Sequence, residues 1–253
     1  MAEPHDALAG QTALVTGAAH RIGRAVALAL AERAINVVVH YRHSAEAAEE
    51  LVDHLRHKGT RAWAFGADLT EPGGADDLWS QTVSAAGPID ILVNSASVFE
   101  PDTLWDCTAE TLWYNTRLHA WAPLVLSRAL AQQTGPAQIV NLLDARLGGY
   151  DPKHVSYQLS KQMLFSLTRM LAVELAPRNI KVNAIQAGIT DTPALRQIPG
   201  HEKAMQLALK RHPYGRMTLP EDVANALVAL AQPGSAWMTG QTIRVDGGED
   251  ILA

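Results

Sequence analysis

Cysteine is nearly absent from this chain: Cys107 stands alone among 253 residues. That excludes an internal disulfide and offers no cysteine cluster for a metal. Neither sign of charge dominates, with a formal net charge of −5 and a pI near 6.0. Bulk attraction to nucleic acid or an anionic membrane is therefore not expected. No apolar run approaches the ~20 residues that span a bilayer, and Met1 to Asp6 hold charges and a proline where a signal peptide has its apolar core. A cytoplasmic protein is expected. Linkers, repeats and low-complexity tracts are also missing, which points to one domain over residues 1–253.

What is present is a regular alternation. Apolar runs at Thr12–Thr16, Ile35–His40, Ala62–Phe65, Ile89–Val93, Gln138–Leu143, Ile180–Ile185 and Gln241–Val245 read as buried strands. Helical patterns separate them, among them Arg24–Arg33, Glu46–His57, Pro72–Ala86, Leu112–Ala131 and Glu221–Ala231. Strands alternating with helices through short links predict an α/β fold: a single-domain, Rossmann-like, doubly wound parallel sheet of about seven strands with helices on both faces. Residues 193–218 show no strand pattern and read as a substrate loop with a short helix near Glu202–Arg211.

In such sheets ligands bind beyond the carboxyl ends of the strands, and the informative residues gather there. After the first strand comes Gly17, then Arg21, Ile22 and Gly23, leading into a helix. Strand, glycine turn and helix point N–H groups at a pyrophosphate. Arg21 stands where the middle glycine of that turn is usual. After the second strand comes His40-Tyr41-Arg42-His43-Ser44, with no acid before Glu46. A dinucleotide site that takes a free ribose places an acid here; an arginine with a hydroxyl suits a 2′-phosphate instead. Ser44 also stands where it would cap the next helix. Asp68 and Leu69 end the third strand, and Asn94, Ser95, Ala96, Ser97 and Phe99 follow the fourth. The fifth delivers Asp144, and a helix pattern then carries Tyr157 and Lys161 four residues apart, on one face. A phenol beside an ammonium is an acid–base device, because the cation favours the ionised phenol. Gly188 and Thr192 follow the sixth strand, and Asp246-Gly247-Gly248 the last.

The order of these motifs resembles the short-chain dehydrogenase/reductase family over nearly the whole chain. The resemblance rests on Thr16-Gly17 to Gly23, Asp68, Asn94-x-Ala96, Asn115, Tyr157-x-x-x-Lys161, Gly188 with Thr192, and Asp246-Gly247-Gly248. It implies Asn115, Tyr157 and Lys161 as the catalytic core. It also implies cofactor contacts from Gly17, Arg21, Ile22, Gly23, the His40–Ser44 segment, Asp68, Leu69, Asn94, Ser95, Ala96, Lys161, Gly188 and Thr192. A homotetramer or dimer is further implied, with the Leu112–Ala131 and Val155–Ala176 helices at one interface.

Two departures are informative. Asp144 replaces the family's usual serine thirteen residues before Tyr157, and Arg21 replaces a glycine. Both look like the pteridine reductase branch, as do the His40–Ser44 segment and the Ser97-x-Phe99 pair. A carboxylate opposes the developing oxyanion of a ketone but accepts from the amino and ring N–H groups of a pterin. The resemblance thus implies NADPH as cofactor, a pterin as substrate, and substrate contacts from Arg21, Ser97, Phe99, Asp144 and Tyr157. Ser95, Glu100 and Ala187 depart from the branch pattern. The alternatives are a carbonyl reductase of the same family, acting on a 3-oxoacyl thioester, sugar or steroid, and a non-catalytic NADPH-binding regulator.

Overall fold

The apolar runs form strands buried on both faces. In β1 (Thr12–Val15), Ala13 and Val15 pack into one helical layer and Leu14 into the other. β2 (Asn36–Tyr41) repeats this with Val37 and Val39 against Val38, and β4 (Ile91–Asn94) with Ile91 and Val93 against Leu92. Apolar residues on both sides are what a sheet covered by helices on each face requires. Leu14, Leu92 and Ile139 are fully buried, each contributing about 1.5–3 kcal/mol relative to exposure. The remaining strands are β3 (Ala62–Gly66), β5 (Ala137–Asp144), β6 (Ile180–Ala187) and β7 (Thr242–Val245).

The computed structural model describes residues 7–190, 206, 209–210 and 212–251. Its strands form one 7-stranded sheet in the order β3-β2-β1-β4-β5-β6-β7, with parallel pairing throughout. Helices α1 (Arg21–Ala31), α2 (Ala45–His57) and α7 (Pro220–Ala231) contribute to the core on one face. On the other lie α3 (Gly74–Ala86), α5 (Ala122–Ala131) and α6 (Val155–Leu175). This is the expected doubly wound fold. The chain reverses direction of winding between β1 and β4, which opens the crevice where such sheets bind ligands.

The long helix expected over Leu112–Ala131 is broken. It starts as α4 (Ala109–Thr116), widens into a π turn at Arg117–Trp121 and resumes as α5. Pro123 has no N–H to return to the carbonyl four residues earlier, and Ala122 N–H instead reaches Arg117 O. Such wide turns concentrate at functional sites. Of the short helix expected near Glu202–Arg211, only Gln206, Leu209 and Lys210 are described, all helical. Thr192 lies outside the described residues. No described helix is long and apolar enough to cross a membrane.

Candidate active site

The ends of β5 and α6 meet over the crevice. Asp144 closes β5 and caps a short 3-10 turn, its Oδ1 accepting from Arg146 N–H at 2.7 Å. That capping fixes the carboxylate and leaves Oδ2 to accept from the Tyr157 hydroxyl at 3.2 Å. Gln158, one residue further along α6, holds the same turn by donating to Gly149 O at 2.7 Å. Burial, and then the charge and hydrogen bond of Asp144, push the Tyr157 phenol well above its ordinary pKa. The effect expected of Lys161 alone, a more acidic phenol, is therefore outweighed. Lys161 Nζ lies 5.7 Å from the Tyr157 ring centroid and donates to Leu142 O at 2.8 Å. Burial lowers Lys161 to about 8, with Asp144 acting in the opposite direction.

Asn115 does not join this pair. Its Nδ2 donates to Thr111 O in its own helix and to Ser156 Oγ, both at 3.0 Å. Its Oδ1 is buried without a partner. One turn later, within the π turn, His119 meets Tyr157 edge to face, with ring centroids 5.5 Å apart. It was not singled out from sequence, although a lone histidine in Leu118-His119-Ala120-Trp121 is a visible signal. His119 Nε2 accepts from Val98 N–H at 3.3 Å and lies 3.0 Å from Ser97 Oγ, while Nδ1 lies 2.7 Å from Ser160 Oγ. Burial, then the charge of Lys161, hold its pKa well below the usual value.

Phe99 stands at the mouth, 52 % exposed. Its ring packs on His154, centroids 3.7 Å apart and nearly parallel, and meets Tyr157 at a right angle at 4.8 Å. The expected stacking residue thus stands beside Tyr157, with its ring packed on a histidine of the chain itself.

The glycine loop packs tightly on itself and on the segment after β4. A Cβ on Gly17 would lie 2.8 Å from Ala96 Cα, and one on Gly23 would lie 2.3 Å from Gly17 O. Arg21 is exposed and left-handed, with φ 51°, a conformation that costs a non-glycine residue about 1–2 kcal/mol. Helix α1 begins there with no side-chain cap and no acid in its first turn. Uncapped N–H groups beside a guanidinium suit a phosphate. Ile22 packs against the core.

Thr16 Oγ1 accepts from the N–H groups of Ser95 and Ala96 at 2.9 and 3.0 Å and donates to Val93 O, so those two amides are spent on holding β1 to β4. Asn94 donates to Asn141 Oδ1 at 2.8 Å, and its own Oδ1 is buried without a partner at the strand end. His40 corrects the expected direct contact. Its Nδ1 accepts from Gly17 N–H at 3.1 Å and its Nε2 lies 3.0 Å from Ala67 O. Both nitrogens are consumed by the fold, and the residue struts the glycine loop from within. Tyr41 likewise packs its ring over Gly66, and Leu69 lies in the core.

Arg42 is exposed and oriented by two neighbours. Its Nε pairs with Asp68 Oδ2 at 2.7 Å, and Nη1 donates to the Tyr114 hydroxyl, a residue of α4 missed from sequence. Burial opposes ionisation of Asp68, but bonds from Thr70 and the Arg42 charge hold its pKa below the usual carboxylate range. His43 is exposed. Ser44 occupies the N-cap of α2 without making a side-chain capping bond, so its hydroxyl is not committed there. At β6, Gly188 admits no side chain: a Cβ would lie 2.7 Å from Thr218 Oγ1 and 2.8 Å from Asp246 Cα. The uncapped α1 terminus, Arg21, Arg42, the Ser44 hydroxyl and the orphaned Asn94 oxygen together fit a phosphorylated dinucleotide.

Known proteins resemble this chain over almost their full lengths. Versicolorin reductase 1 of Aspergillus parasiticus is 33 % identical over 254 residues, covering 95 % of this chain and 97 % of its own. The solved structure of the angucycline C-6 ketoreductase LanV with bound NADP superposes with a TM-score of 0.89 at 32 % identity, covering 96 % and 97 % of the two chains. FolM, alternative dihydrofolate reductase 1 from Brucella canis, solved with NADP, superposes with a TM-score of 0.88 at 31 % identity, covering 97 % and 96 %. The family model described as enoyl-(acyl carrier protein) reductase matches residues 17–249, and the chain belongs to the short-chain dehydrogenase/reductase family.

Proposed function

We propose that this protein is an NADPH-dependent pteridine reductase, reducing a dihydropterin or dihydrofolate to the tetrahydro form. NADP(H) is the cofactor, as in the solved relatives. The observation that carries the substrate is the Asp144 carboxylate at 3.2 Å from the Tyr157 hydroxyl, where a ketone reductase needs a neutral donor. Arg21, held in a left-handed conformation, and the half-exposed Phe99 supply a cation and an aromatic wall for a flat polar heterocycle. The FolM relative is named as a dihydrofolate reductase, which agrees with this reading.

Bound NADPH supplies the hydride. Tyr157, kept protonated by burial and by Asp144, holds a proton for the nitrogen adjacent to the reduced carbon. Asp144 accepts from the pterin amino and ring N–H groups and orients them. Lys161 stabilises the tyrosinate left behind. Ser97, its hydroxyl beside His119, lines the same edge. Asn115, one contact removed through Ser156, supports α6 and touches neither Tyr157 nor Lys161.

The second reading is a ketoreductase. It is favoured by the names of versicolorin reductase 1 and LanV and opposed by Asp144. NADPH oxidation with dihydrobiopterin, dihydrofolate and a ketone panel separates the two. Turnover of pterins above ketones is expected, and brisk ketone reduction with no pterin turnover refutes the proposal.

The assembly we infer is a homotetramer or dimer. Trp113 and Trp121 on α4 and its π turn, and Leu159, Met163, Met170 and Val173 on α6, expose apolar surface suited to a second copy. Gel filtration at the monomer mass refutes it.

A further inference from the structure

We propose that His119 is a positioning residue, which holds Tyr157 in register with the Ser97–Phe99 segment and does so as a neutral ring protonated on Nδ1. The tautomer follows from its partners. The Val98 backbone N–H can only donate, so Nε2, 3.3 Å away, carries no proton. The Ser97 hydroxyl, which also lies 3.3 Å from Val98 O, stands 3.0 Å from the same nitrogen. In a neutral ring the proton is then on Nδ1, which donates to Ser160 Oγ at 2.7 Å. Ser160 in turn donates to the carbonyl of Tyr157 at 2.7 Å. A doubly protonated ring would set Nε2–H against Val98 N–H.

The result is a bridge between three elements. The segment after β4 ends in the aromatic wall at Phe99, the π turn provides the imidazole, and α6 provides Tyr157. The ring also touches Tyr157 directly, edge to face, with centroids 5.5 Å apart. At 1 % exposure it has no access to bulk water, so it is not a proton shuttle to solvent. Its contacts fix where the phenol and Phe99 stand relative to each other. Mutual placement on the scale of an ångström governs the rate of a bound reaction. Burial and the nearby Lys161 charge, which disfavour protonation, support the neutral form.

This inference rests on the reductase assignment and not on pterin being the substrate. The test uses the full-length protein, its His119→Asn and His119→Leu variants, and whichever pterin or ketone the wild type reduces. Asparagine can accept from Val98 N–H and still donate an N–H; leucine can do neither. For His119→Leu we expect kcat to fall tenfold or more, with the NADPH Kd and thermal midpoint close to wild type. His119→Asn should recover a substantial part of kcat. Unchanged kcat in the leucine variant, or joint loss of kcat, NADPH binding and melting temperature in both variants, overturns the positioning role. Nitrogen-15 spectra of the imidazole need no substrate: at pH 6 they should show a neutral ring with its proton on Nδ1. A proton on Nε2, or a charged ring, overturns the arrangement independently of the substrate reading.

Discussion

The substitution Asp144→Asn removes one charge and little else. The amide side chain keeps an oxygen that can accept from Arg146 N–H, as the carboxylate does at 2.7 Å. Asparagine caps as well as aspartate, so the stability change should stay under about 1 kcal/mol. What is lost is the carboxylate facing the Tyr157 hydroxyl at 3.2 Å. A hydrogen bond to a charged group contributes about 1.5–3 kcal/mol, so kcat/KM for a dihydropterin should fall roughly 10- to 150-fold. The pH profile should move as well. Lys161 has a pKa lowered to about 8, so the cation supporting the tyrosinate is present below that pH and lost as pH rises through it. Asp144 raises this value. In the variant the alkaline decline should therefore begin at lower pH. Steady-state kinetics across the neutral and alkaline range, with NADPH binding as a control, make the comparison. A variant that matches wild type on dihydropterin across that range would refute the role given to the carboxylate.

Arg21→Gly removes a left-handed arginine. Relief of about 1–2 kcal/mol of backbone strain is partly cancelled by about 0.5–1 kcal/mol of glycine chain entropy. Denaturant unfolding should show equal or slightly higher stability while the dihydropterin KM rises; a loss of stability would mean that the guanidinium braces the fold. Arg42→Ala should weaken NADPH binding about 10- to 100-fold, the worth of charge-assisted bonds to a phosphate, and leave NADH nearly unaffected. Equal losses for both cofactors, measured by fluorescence titration, would count against 2′-phosphate recognition. Acid should destabilise the protein early. Burial lowers His40 to about 4 from 6.5, so the stability it contributes is complete above pH 6.5 and is lost as pH falls towards 4. The loss is about 2 kcal/mol at pH 5. His119 acts in the same direction. Urea midpoints that agree at pH 7.5 and pH 5 would contradict this.

The fold was legible because its signals are local and repeated. Runs such as Val37-Val38-Val39 and Ile91-Leu92-Val93 are apolar at every position, which only a sheet covered on both faces accommodates. All seven expected strands form, each end within two residues of its expected place. The placement of Asp144 against Tyr157 was legible for a similar reason: a strand end and a helix face are fixed by the same periodicities. The π turn was not, since it depends on Pro123 acting on a carbonyl within a helix that is otherwise regular in pattern. Beside that turn the motif pattern picks out Asn115, whereas the structure presents His119. Partnerships across long separations were hidden too. Nothing near Arg42 announces that Tyr114, 72 residues on, will hold its guanidinium, or that His40 will turn both nitrogens inward.

The pairing of Phe99 with His154 bears on how the site would receive a planar ligand. An imidazole lies 3.7 Å behind the phenyl ring and is itself tethered, through Nδ1, to Asp151 Oδ2 at 2.9 Å. The aromatic wall is therefore braced from within the chain. A planar guest meets a partition already erected and freezes few rotors on arrival, so more of its contact energy is left to appear as affinity.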